Sequence, residues 1–132
     1  MRNPSQVIKD KASSWAKGLK KIEVNPLTQS EPLINHKCQY NSVNQVKLGK
    51  AVAVVEVVIL GGDGSPTAHY ININEQGEYY DITLGWSWGG CDYRLVRIIS
   101  SSSNELSSAG EMLSRLKKKM YEMTPKHVRL LH

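Results

Sequence analysis

Phenylalanine is absent from these 132 residues, and six tyrosines and three tryptophans supply every aromatic ring. Both types seek a partner for a hydroxyl or an indole N–H when buried, so a core built from them is expected to contain polar contacts. No apolar run approaches the roughly 20 residues that cross a bilayer. The longest, Ala51 to Leu60, is interrupted by Glu56. The first residues, MRNPSQVIKDK, lack the apolar stretch of a secretory leader, so no signal peptide is expected; together with the missing long apolar run, this makes the cytoplasm the expected location, with no membrane partner expected. Cysteine is scarce. Cys38 and Cys91 stand alone, and in a reducing compartment both are expected as thiols.

Other signatures are missing as well. A metal site drawn from Cys38, His69, Asp81 or His36 is the weaker reading, and neither a metal nor a cofactor is expected. The cluster Gly61-Gly62-Asp63-Gly64-Ser65-Pro66 is not followed by Lys-Ser/Thr, and it reads as a hairpin turn rather than a phosphate cradle. Internal repeats are absent, as is any linker long enough to divide the chain.

The net charge of +5 is unevenly spread. Residues 1–40 hold seven Lys/Arg against three acids, residues 41–109 four against seven, and residues 110–132 six against two. The basic surplus therefore belongs to the flanking helices. It reads as solvated helix faces rather than a nucleic-acid groove, since no reader motif accompanies it.

An α+β chain organised as one domain follows from the pattern. Residues 1–34 give an N-terminal helix and connector, residues 35–99 a helix with an antiparallel sheet of about four strands, and residues 100–132 a C-terminal helix and tail. Ile8, Ala12, Trp15, Leu19 and Ile22 form one apolar face of a helix over 5–21. Glu23 to Lys37, with Pro26 and Pro32, is expected as an extended surface connector. Tyr40, Val43, Val46 and Leu48 mark a short helix stopped by Gly49. Ala51 to Leu60 reads as a central strand buried on both faces. Thr67–Asn74 and Glu78–Leu84 form a hairpin, and Cys91 to Ile99 a further strand with Tyr93, Leu95 and Arg97 on one face. Ser102 and Glu105 fit a capping box ahead of a last helix over 104–121. Its apolar face is Leu106, Ala109, Leu113, Leu116 and Met120.

Three residues in this frame have complementary chemistry. Cys38 falls at a helix start, where unsatisfied N–H groups and the positive dipole end favour a thiolate. His69 lies on the first strand of the hairpin and Asp81 on the second. A three-residue loop, Glu75-Gln76-Gly77, pairs Asn74 with Glu78, Ile71 with Asp81 and His69 with Thr83. His69 and Asp81 are then diagonal neighbours on one face, roughly 7–8 Å apart at the backbone and within side-chain reach. A loop longer or shorter by one residue would send them to opposite faces. A thiol nucleophile, an imidazole base and a carboxylate that orients the base make up the parts of a cysteine-dependent acyl-transfer site. The backbone N–H of Cys38 is a natural oxyanion donor, and Asn35, Gln39 and Asn41 are side-chain candidates for a second. His36 competes with His69 as the base. Tyr40, Trp86 and Trp88 are candidate substrate contacts. The glycine-flanked tryptophans either tuck over the core or wall a cleft.

The Cys38 to Asn41 element (C-x-x-N), the apolar strand, the single histidine on a strand, and the run from Gly77 to Thr83 resemble the papain-like superfamily in its broad sense. That grouping includes transglutaminase-like, arylamine-acetyltransferase-like and NlpC/P60 proteins, and small bacterial or phage members. The likeness covers residues 35–88. It implies Cys38 as nucleophile, His69 as base and Asp81 as orienter, acting on a peptide, protein or small amide substrate. The competing expectation is a non-enzymatic inhibitor or adaptor of phage type. It would bind a host protein through the Trp86/Trp88 loop.

Overall fold

The computed structural model describes residues 12–26, 38–61, 65–83 and 92–122. The chain is α+β: a curled, six-stranded sheet covered on one face by helices. A first helix, α1, occupies 12–17. It is followed by β1 (Lys20–Ile22), β2 (Val24–Pro26), α2 (Cys38–Lys47), β3 (Ala53–Leu60), β4 (Pro66–Ile73), β5 (Tyr79–Asp81) and β6 (Asp92–Ser100). A 3-10 turn at Asn104–Ser108 then leads into α3 (Ala109–Glu122). The strand order is β1-β6-β3-β4-β5-β2.

The sheet is larger than the expected four antiparallel strands, because the stretch between the first two helices is not merely connector. Lys20, Lys21 and Ile22 pair antiparallel with Leu95, Arg94 and Tyr93 of β6. Val24 to Pro26 pair in parallel with Tyr79 to Asp81 of β5. The two edges of the sheet are therefore made by consecutive three-residue strands. The expected helix over 5–21 ends early for the same reason. Gly18 and Leu19 close tight turns onto the carbonyls of Trp15 and Ala16. Arg94 then donates to the carbonyls of Lys17 and Leu19 at 3.0 and 3.2 Å, satisfying acceptors that a continuing helix would have used. Ile22, expected on the helix, is a buried strand residue.

β3 is buried along its whole length, as a Val-rich central strand should be. Its side chains alternate between two cores. Val54 packs with Val43, Tyr70, Ile99, Leu106, Met112 and Leu116 beneath α2 and α3, while Val58 and Leu60 meet Ala16 and Trp15 of α1. On the other face, Val55, Val57 and Ile59 pack with Ile22, Ile71 and Tyr93.

A β-bulge alters β6. Glu56 pairs with Arg97 and Val57 with Leu95, so Val96 is the extra residue. The bulge moves Arg97 off the face it was expected to share with Tyr93 and Leu95. Its guanidinium instead reaches Glu56 on the helix side at 3.3 Å and grips Glu105 through two bonds of 2.7 and 2.8 Å. Glu105 is thus engaged with Arg97, and the helix cap is Ser103 rather than Ser102, its hydroxyl accepting from the Glu105 N–H. Among the described residues no helix is long and apolar enough to cross a membrane.

Candidate functional site

The β4–β5 hairpin has the expected register. Ile73 pairs with Tyr79 and Asn72 with Tyr80, and Asn74 closes the loop onto Glu78. Gly77 takes a φ of +79°, which an L side chain rarely adopts, and Asn74 Oδ1 accepts from the N–H groups of Gln76 and Glu78. β5 is shorter than the expected strand over 78–84. It ends at Asp81, and the chain turns at Ile82 and Thr83. Pairing between β4 and β5 stops at Asn72, so His69 stands on a part of β4 that β5 does not cover.

The start of α2 is fixed beside this hairpin. Asn41 Nδ2 donates to Thr83 Oγ1 at 3.1 Å, and Asn72 Nδ2 donates to the Ser42 carbonyl at 2.9 Å. Tyr80 donates to Gln45 Oε1 at 3.1 Å. These bonds pin successive turns of α2 to β4 and β5. Cys38, the first residue of α2, is a free thiol brought next to His69.

His69 Nε2 lies 2.9 Å from Asp81 Oδ2. A carboxylate only accepts, so Nε2 carries a proton. Cys38 is 4 % exposed, His69 4 % and Asp81 1 %. Burial by itself would lower the basicity of the imidazole. The hydrogen bond to Asp81, the hydrogen bond to Cys38 and the charges of both outweigh it, and the pKa of His69 is pushed up to about 9. Asp81 is held from further directions. Oδ1 accepts from the Thr83 N–H at 2.9 Å, and Oδ2 accepts from the Tyr93 hydroxyl at 2.7 Å.

The remaining sequence candidates are placed as follows. Gln39 is buried, and its Oε1 accepts from the Cys38 thiol at 3.6 Å. Asn41 Nδ2 is engaged with Thr83. Tyr40 stands about 200° round the helix from Cys38. It is half exposed, and its hydroxyl lies against Gly110 of α3, where a Cβ would come within 3.0 Å of it. Asn35, His36, Trp86, Trp88 and Cys91 lie outside the described residues. Among the described residues no group of three or more His, Cys, Asp or Glu is placed to hold a metal ion.

Tyr93 was legible in the sequence only as one residue of an alternating strand. Nothing local marks a tyrosine on β6 as the partner of a carboxylate on β5, three strands away in the sheet. A second buried network on the helix face was also unmarked. Glu56 accepts from the Tyr70 hydroxyl at 2.6 Å and from Arg97 Nε at 3.3 Å. Burial, followed by the hydrogen bond and charge of Glu56, pushes the Tyr70 hydroxyl far above its ordinary pKa.

No family model, curated protein or solved structure matches the chain.

Proposed function

We propose that this protein is a small cysteine-dependent hydrolase or acyl transferase acting on an amide, peptide or thioester-type bond through Cys38, His69 and Asp81. One observation supports the reading above all others: a buried imidazole is bonded to a buried carboxylate at 2.9 Å, with the free Cys38 thiol close enough to help raise its pKa. The order of helix-start cysteine, strand, histidine and aspartate remains similar to the papain-like arrangement.

In the proposed cycle, His69 already holds the proton as an imidazolium at neutral pH, and Cys38 Sγ attacks the carbonyl carbon as a thiolate, forming an S–C bond. The imidazolium gives that proton to the leaving amine or thiol as its bond to the carbonyl breaks. Water or an amine then gives a proton to His69 and attacks the acyl carbon, releasing the Cys38 thiolate beside the imidazolium and closing the cycle. Asp81 keeps Nε2 protonated, so Nδ1 alone exchanges protons, and it stabilises the imidazolium. The Cys38 N–H at the start of α2 supplies an oxyanion donor. Because Cys38 is only 4 % exposed, neighbouring chain has to part before Sγ meets a carbonyl, and compact acyl donors are expected to react first.

The test is acylation by p-nitrophenyl acetate. An initial burst of p-nitrophenol and one acetyl group on the Cys38 peptide are expected, both lost in Cys38→Ala and reduced in His69→Gln. Absence of acetyl-Cys38 under conditions that acetylate a free thiol would refute the proposal.

A further inference from the structure

Asp81 Oδ2 receives two donors, His69 Nε2 at 2.9 Å and the Tyr93 hydroxyl at 2.7 Å. Strands three apart in a flat sheet are separated by roughly 14 Å. Here the curl of the sheet and the length of the tyrosine side chain close that span, at no apolar gain to the hydroxyl itself. The ring is buried and wedged among Ile22, Val55, Ile59 and Ile71, so its direction is set by packing. It also stands beside the imidazole, with ring centroids 6.5 Å apart.

We propose that Tyr93 is a positioning residue of the site. By donating to Asp81 Oδ2, it fixes the carboxylate and divides its charge, and so sets how strongly Asp81 holds the His69 imidazolium. This rests on the proposed role of His69 as the base, although the contact can be probed without any catalysis.

The two carboxylate oxygens have separate tasks. Oδ1 is tied to the turn after β5 by the Thr83 N–H. Oδ2 faces the ring, and each donor it accepts reduces the charge it presents to the other. An Asp81 without the Tyr93 bond would concentrate its charge on His69 and raise the imidazole pKa further. Among the described residues, the titratable groups facing the ring are Asp81 from β5, Cys38 from α2 and Tyr93 from β6.

The experiment is an NMR titration of the His69 ring in the whole chain, with the signal assigned by its loss in His69→Gln. Tyr93→Phe keeps the ring and removes only the donor, and the His69 midpoint is expected to rise by roughly one unit. Incorporation of 3-fluorotyrosine at position 93 supplies a stronger donor and should lower the midpoint, which keeps the test available if Tyr93→Phe fails to fold. An unchanged midpoint in either protein overturns the proposal. A protein that never acetylates Cys38 but shows both shifts would retain this role for Tyr93 and lose the acyl-transfer function. A protein that acetylates Cys38 while His69 ignores Tyr93 would do the reverse.

Discussion

Raising the pH should weaken the fold through one side chain. His69 has an ordinary pKa of 6.5 and a folded-state pKa of about 9. Between those values the folded protein keeps a proton that the unfolded chain has released, so stability falls as pH rises. The contribution is complete below about pH 6.5 and is lost by the time pH passes 9. The gap of about 2.5 units corresponds to about 3 kcal/mol at roughly 1.4 kcal/mol per unit. Burial acts in the opposite direction, so the sign of the effect depends on Asp81 and Cys38 outweighing it. The assay is urea unfolding followed by tryptophan fluorescence at half-unit steps from pH 6 to pH 10. With a urea slope of roughly 1–3 kcal/mol per molar, the midpoint should drop by about 1–3 M across that range. His69→Gln removes the titrating group and should flatten this part of the profile, whatever its absolute stability. Asp81→Asn should shrink the window, because it removes the largest of the contributions that raise the pKa. Parallel pH profiles for wild type and His69→Gln would refute the reasoning.

Two further consequences concern the frame around the site. Tyr70→Phe removes the 2.6 Å donor from the buried Glu56 and should cost about 1–3 kcal/mol by urea unfolding; a loss below the resolution of that measurement would mean that Arg97 alone satisfies the carboxylate. Inserting one glycine after Gly77 should slip the hairpin so that Asp81 faces away from His69, and the His69 NMR midpoint should then fall from about 9 toward or below 6.5; a midpoint still near 9 would contradict the assigned register.

The parts legible in the sequence were those specified by local pattern. Cys38 at a helix start follows from the polar-apolar spacing of α2 and its stop at Gly49. The buried run of β3 follows from its valines. The His69–Asp81 register follows from a three-residue loop whose glycine accepts a positive φ. What escaped local pattern depends on partners distant in the chain. β1 and β2 are three residues each, too short for any periodicity, and they exist because β6 and β5 offer them edges. The end of α1 is decided by Arg94, some 77 residues away from Lys17 in sequence. The bulge at Val96 leaves no mark in the alternation of β6, yet it moves Arg97 to the opposite face. Tyr93 is the clearest case. As a strand aromatic it is ordinary, and only a sheet that brings β6 round toward β5 turns its hydroxyl into a partner for Asp81. The absence of phenylalanine fits this outcome, since Tyr70, Tyr80 and Tyr93 are all buried and each donates a hydrogen bond inside the core.

The central claim is that His69 acts on the Cys38 thiol. Its most direct measure is the rate at which iodoacetamide alkylates Cys38 at pH 7, followed by mass spectrometry of the Cys38 peptide with the Cys91 peptide as internal reference. The proposed chemistry predicts that Cys38 reacts faster than Cys91 in the folded wild type. It also predicts that His69→Gln slows Cys38 on the order of a hundredfold while leaving Cys91 unchanged. Equal rates for Cys38 in wild type and His69→Gln would contradict it.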